Sequence, residues 1–146
     1  MRLTQYTDYS LRVLMYLGLK GDKLATINEI ADRYGISENH LMKVVHQLGR
    51  EGFVHTVRGR NGGMRLAVAP KDINIGDVVR KCEDDLRIVE CFDAKTSTCP
   101  ISNVCGLAGL LDDALEAFLT TLDKKTLADI LKASPMIAPV LQLADA

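Results

Sequence analysis

Apolar residues recur at helical spacing along most of the chain, break off in a polar stretch between residues 84 and 106, and then resume. From Tyr6 to Leu17, Leu11, Val13, Leu14, Met15 and Leu17 are apolar on more than one side, which predicts a helix covered by two neighbours. Thr7 and Asp8 lie near its start, where a hydroxyl or an acid suits the unpaired backbone N–H groups, and Gly18 and Gly21 are expected to end it. Thr26-Ile27-Asn28-Glu29 has the pattern of a capping box ahead of a short amphipathic helix carrying Ile27, Ile30, Ala31 and Tyr34, stopped by Gly35. Ser37 then reads as the N-cap of a third helix with Leu41, Val44, Val45 and Leu48 on one stripe. Asn39, Lys43, His46, Gln47 and Arg50 fall on the opposite side, flanked by His40 and Met42. Two helices about a tight glycine turn predict a helix-turn-helix whose second helix offers side chains to a major groove.

The period then changes. Phe53 to Val57 and Met64 to Val68 are β-prone runs either side of Arg58-Gly59-Arg60-Asn61-Gly62-Gly63, and Asn61-Gly62 is a hairpin signal. A hairpin after a recognition helix is the wing of a winged helix, and arginines at its tip suit a narrow, electronegative minor groove. Asn74 is expected to cap a helix with Ile75, Val78, Val79 and Cys82 on one face, which puts Cys82 in the core. Beyond the polar stretch, Leu107, Leu110, Leu111, Ala114, Leu115, Phe118 and Leu122 mark a long helix broad enough to pack on its own domain and on a second copy. Thr126 to Leu131 reads as a further short helix, and the tail from Ser134, with Pro135 and Pro139, carries no clear pattern. The predicted fold class is mainly α with a small β-hairpin wing: a winged helix-turn-helix over residues 1–83, a loop over 84–106, and a dimerisation helix and tail over 107–146.

Charge sharpens the picture. The net charge is -1, yet residues 1–68 hold ten Lys and Arg against six Asp and Glu, while residues 69–146 hold eight against thirteen. A basic front and an acidic back fit a protein that turns one face to phosphates. The candidate DNA contacts are Ser37, Asn39, His40, Lys43 and Gln47 around the third helix, with Arg58 and Arg60 on the wing. No run of apolar residues is long enough for a membrane span, and the polar N-terminus is unlike a secretory signal, so a soluble, cytoplasmic protein is expected.

The polar stretch contains Cys91, Cys99 and Cys105 in the spacing Cys-x7-Cys-x5-Cys, among turn-forming residues. A soft metal centre gripped by thiolates would hold such a loop. In a reducing compartment a disulfide framework is disfavoured. Zinc is the competing metal, but its structural sites usually contain a Cys-x2-4-Cys knuckle, which is missing, and all three histidines lie in the DNA-reading half. An iron-sulfur cluster tolerates this spacing, 4Fe-4S being favoured over 2Fe-2S.

The pattern as a whole resembles the Rrf2 family of winged-helix iron-sulfur regulators, and within it the repressors that sense nitric oxide. The resemblance is carried by Thr7-Asp8-Tyr9 with Leu11-Arg12, Ile30-Ala31, Asn39-His40-Leu41-Met42-Lys43-Val44-Val45, the Val57 to Gly63 wing, Ile75-Gly76-Asp77-Val78-Val79-Arg80 and the cysteine triad. It implies a homodimer on a double-stranded DNA operator, with nitric oxide as the signal. It also implies a cluster held by Cys91, Cys99 and Cys105, with Asp8 of the other subunit as fourth ligand. The family's cluster-biogenesis regulators carry a histidine three residues after the third cysteine; here that residue is Ala108. A repressor sensing iron or oxidation through the same thiolates, a zinc-stabilised DNA-binding module, and an electron-carrying protein or enzyme are the alternatives. The last leaves the wing arginines without a purpose.

Overall fold

Thr4 opens the first helix, its side chain accepting a hydrogen bond from the Thr7 backbone N–H, and α1 runs over Gln5–Lys20. In the computed structural model, which describes residues 2–143, this helix is the hub of the core. Val13, Leu14, Tyr16 and Leu17 are completely buried, because other elements cover α1 on several sides. The helix passes through Gly18 and closes at Gly21, the second of the two glycines expected to end it. A Cβ at Gly18 would lie 2.6 Å from Leu131 Cδ1, so this glycine permits close helix packing rather than ending the helix.

The next two helices follow their sequence signals. Thr26 and Glu29 form the reciprocal capping box of α2, Ile27–Tyr34, and Gly35 closes it in the left-handed conformation. Ser37 caps α3, Glu38–Arg50, which buries Leu41, Val44, Val45 and Leu48. Strands β1, Val54–Val57, and β2, Gly63–Leu66, pair antiparallel, with Val54 opposite Leu66 and Val57 opposite Gly63. Ala25 and Met64 exchange two backbone hydrogen bonds of 2.8 and 2.9 Å, tying the hairpin to the segment that leads into α2.

Asn74 caps α4, Ile75–Cys82, whose buried residues include Ile75, Val78, Val79 and Cys82. Residues 83–105 contain two short 3-10 turns, Glu90–Phe92 and Ser102–Val104, and lead into α5, Gly106–Asp123. Of α5, Leu119 is buried. Helix α6, Leu127–Ala133, carries its own Thr126–Asp129 capping box. The tail, unpatterned in the sequence, forms the short α7, Ile137–Val140, and buries Leu141 as part of the core. No helix among the described residues is long and apolar enough to cross a membrane.

Candidate nucleic-acid interface and cysteine loop

Helix α3 is amphipathic in the sense a major groove requires. Its apolar stripe faces the core, leaving Asn39, His40, Met42, Lys43, His46 and Arg50 exposed on the other side. Ser37 is exposed at the N-cap and accepts a hydrogen bond from the His40 N–H, so one hydroxyl both starts the helix and lies at its leading end. Gln47 differs from its neighbours: it is half-buried, and its amide donates to Glu51 at 3.1 Å. The helix is braced against α1, where the Tyr6 hydroxyl donates to the Lys43 carbonyl at 3.4 Å and the Tyr9 and His40 rings lie 6.2 Å apart. Glu38, not among the predicted contacts, is exposed at the first turn and accepts from the Asn28 amide at 3.1 Å.

Both wing arginines, Arg58 and Arg60, are exposed. The turn between the strands differs from the two-residue Asn61-Gly62 turn that the sequence suggests. Val57 and Gly63 form the last pair, leaving residues 58–62 as the loop, and the positive backbone angle falls on Gly59, at φ 113°. The Gly62 N–H donates to the Gly59 carbonyl at 2.9 Å and closes the reversal. A longer loop carries both arginines outward on a tip without core contacts to serve.

The four cysteines divide by environment. Cys82 is 4% exposed in the core, and burial pushes its thiol up from the ordinary value despite a contact with Ser10 that acts the other way. Cys91, Cys99 and Cys105 are half-buried free thiols in a segment held by turns rather than by a helix or strand. Their chemistry, three sulfur donors in a polar loop, fits a soft metal centre. The single chain does not assemble that centre by itself: among the described residues no three His, Cys, Asp or Glu side chains gather into a group that could hold a metal ion. Arg87, absent from the predicted site, staples the entry to the loop. Its guanidinium binds Asp85 at 2.7 Å and Asp93, two residues past Cys91, at 2.5 Å. These bonds hold the Asp85 carboxyl down at about 2, while Asp93 is lowered first by the Lys95 backbone N–H. The sequence signal for this staple is an arginine between two acids, which spacing alone does not distinguish from a solvated charge run.

With Thr4 as the cap, Asp8 lies in the first turn of α1. Its backbone N–H already bonds the Thr4 carbonyl, and its carboxylate pairs with Arg12 one turn on at 2.7 Å. Both side chains of the pair are more than two-fifths exposed, so the carboxylate is open to solvent or to another chain.

A family model described as Rrf2, iron-dependent transcriptional regulator, matches residues 3–133. The HTH-type transcriptional regulator NsrR of Bacillus subtilis (strain 168) is 55% identical over 144 residues, covering 98% of this chain and 99% of that protein. A protein of the same name from Bacillus licheniformis is 52% identical over 142 residues, covering 97% and 99%. Among solved structures, that of T. potens IscR superposes with a TM-score of 0.74 at 27% identity, covering 92% of this chain and 88% of its own.

Proposed function

The chain belongs to the Rrf2 family of transcriptional regulators, and from that premise we propose that it is a cytoplasmic, homodimeric repressor whose hold on a two-site DNA operator depends on an iron-sulfur cluster and is released by nitric oxide. The observation that carries the reading is the separation of the cysteines: one thiol is sealed in the core, and three are left accessible in a turn-rich loop at the foot of a long helix. Cys91, Cys99 and Cys105 would hold the cluster, 4Fe-4S in this reading, and Asp8 of a second copy would supply the fourth ligand. When bound, the cluster supplies iron that nitric oxide can attack, and an oxygen ligand makes one iron more labile than an all-thiolate set would.

The chain's own residues supply the rest. Cys105 is the residue immediately before α5, so fixing its sulfur fixes the start of that helix. Ile101, Val104, Leu107 and Leu110 are 55 to 84% exposed along the loop and the first turns of α5, an apolar run that a second copy would cover. Asp8 is available for a partner because its Arg12 pair is a solvated contact worth only ~0.2 to 1 kcal/mol. At the DNA, Asn39, His40, Lys43 and Arg50 face the major groove from α3, and Arg58 and Arg60 reach the flanking backbone or minor groove.

The test is an anaerobic absorption spectrum with iron and sulfide assays on the purified protein and its variants. Cys91→Ala, Cys99→Ala and Cys105→Ala are each expected to lose the iron-sulfur chromophore, while Cys82→Ala keeps it. Asp8→Ala is expected to keep a cluster with an altered spectrum, and Asp8→Cys to give one less reactive towards nitric oxide. A colourless protein containing zinc, or a chromophore that depends on Cys82, would overturn the assignment.

A further inference from the structure

We propose that Arg80 and Asp123 form the joint that fixes the direction of the long helix α5 relative to the DNA-reading domain, and thereby set the half-site spacing that two copies accept. The inference rests on the reading above that two copies bind one operator together.

The contact is built from both sides. On α4, the Arg80 guanidinium donates from Nη1 to Asp123 Oδ1 at 2.6 Å and from Nη2 to Oδ2 at 2.8 Å, a planar two-pronged contact that fixes orientation as well as distance. One turn earlier on α4 is Gly76, where a Cβ would lie 1.8 Å from Asp123 Oδ1. A bare glycine is therefore needed for the carboxylate to lie against the helix. Asn74 works in two directions: its Oδ1 accepts from the Asp77 N–H to cap α4, and its Nδ2 donates to the Asp123 carbonyl at 2.6 Å. Just beyond α5, the Ile75 N–H donates to the Lys125 carbonyl at 3.0 Å, and the Leu127 N–H donates to the Ile73 carbonyl at 2.8 Å. The C-terminal end of α5 is thus clamped to the start of α4 by side chains and main chain together.

The opposite end of α5 is more open, with Leu107 and Leu110 60% and 64% exposed. A helix of 18 residues is about 27 Å long, so a tilt of roughly 10° at the clamped end displaces the free end by about 5 Å. One added base pair moves a half-site by ~3.4 Å along the duplex and turns it by roughly 35° about the axis. A joint that admits even a modest tilt therefore blurs the spacing two recognition helices can meet. The ion pair is 36% and 40% exposed, which makes it a minor contributor to folding and a geometric one to positioning.

The experiment compares the unmodified, anaerobically reconstituted protein with Arg80→Ala, Arg80→Lys and Gly76→Ala. The probes are a duplex recovered by binding-site selection with the unmodified protein, and the same duplex with one base pair inserted between its half-sites. The unmodified protein is expected to lose about tenfold or more in affinity on insertion, within the range typical of coupling between sites. Arg80→Ala and Gly76→Ala are expected to lose only a small part of that on insertion, with weaker binding to the original site and an unchanged thermal midpoint for Arg80→Ala. Arg80→Lys keeps the charge without the two-pronged contact and falls between. An insertion penalty in Arg80→Ala and Gly76→Ala equal to that of the unmodified protein overturns the joint while leaving the two-copy reading intact. Indifference of the unmodified protein to spacing, with one copy bound per duplex, overturns both.

Discussion

Glu29 shows how one side chain can serve two helices. Its backbone N–H and carboxylate complete the capping box with Thr26, while Oε1 also accepts from the Tyr16 hydroxyl and from Lys20 Nζ, each at 2.7 Å. Burial pushes the carboxyl up, but the hydrogen bonds from Lys20 and Tyr16 outweigh it and leave the group below the ordinary carboxylate value of 4.5. A folded-state value below the unfolded one stabilises the fold above the ordinary carboxylate range, and this contribution is lost as pH falls through the lowered folded value. Glu29→Gln is therefore expected to cost about 1.5 kcal/mol at neutral pH and to unfold with a shallower dependence on acid pH, read by denaturant titration at several pH values. Equal acid dependence in both proteins would show that this carboxylate does not carry the effect. The capping box is legible in four consecutive residues, whereas Tyr16 and Lys20 come from another helix and leave no local mark. Asp8 illustrates the same limit. An acid at the helix start is legible, and Asp8 does lie in the first turn, but its pairing with Arg12 and the capping by Thr4 are settled only by the fold.

At the scale of elements, the strands and their order were readable because alternation and β-branched residues are local, but the turn was not. Asn61-Gly62 is a strong two-residue signal, and the chain instead reverses at Gly59 because the last strand pair is Val57 with Gly63, which makes the loop five residues long. The consequence is a longer, more accessible tip. Arg58→Ala and Arg60→Ala are each expected to weaken operator binding and to lower the slope of log affinity against log salt by about 0.9 for every phosphate contact removed. Identical salt titrations for both variants and the unmodified protein would remove the wing from the DNA interface. The same distinction between local and long-range information explains α1 and the tail. Gly18 reads as a stop, but its missing side chain admits Leu131, and the helix continues. The tail with Pro135 and Pro139 shows no clear pattern, yet Leu141 is only 7% exposed because it joins the hydrophobic core built by distant parts of the chain.

For the whole molecule, composition divides the chain into a basic stretch over 1–68 and an acidic one over 69–146, and the cysteines sort by environment as their positions suggest: Cys82 in the core, the other three in the loop. Assembly was not legible in the same way, because the donors needed for a centre and the apolar face of α5 are both left incomplete within one chain. In the proposed dimer the second copy would cover α5 and contribute Asp8, while the bound cluster would draw Cys91, Cys99 and Cys105 together. The most direct test is a mobility-shift titration under anaerobic conditions. Cluster-loaded protein is mixed with its selected operator duplex and increasing nitric oxide donor, beside Cys99→Ala, with absorption followed in parallel. Affinity of the loaded protein is expected to fall by roughly 5- to 150-fold as the chromophore is lost, reaching the level that Cys99→Ala shows from the outset. Undiminished operator binding after the chromophore has been destroyed, or binding by Cys99→Ala as tight as that of the loaded protein, would contradict cluster-dependent repression.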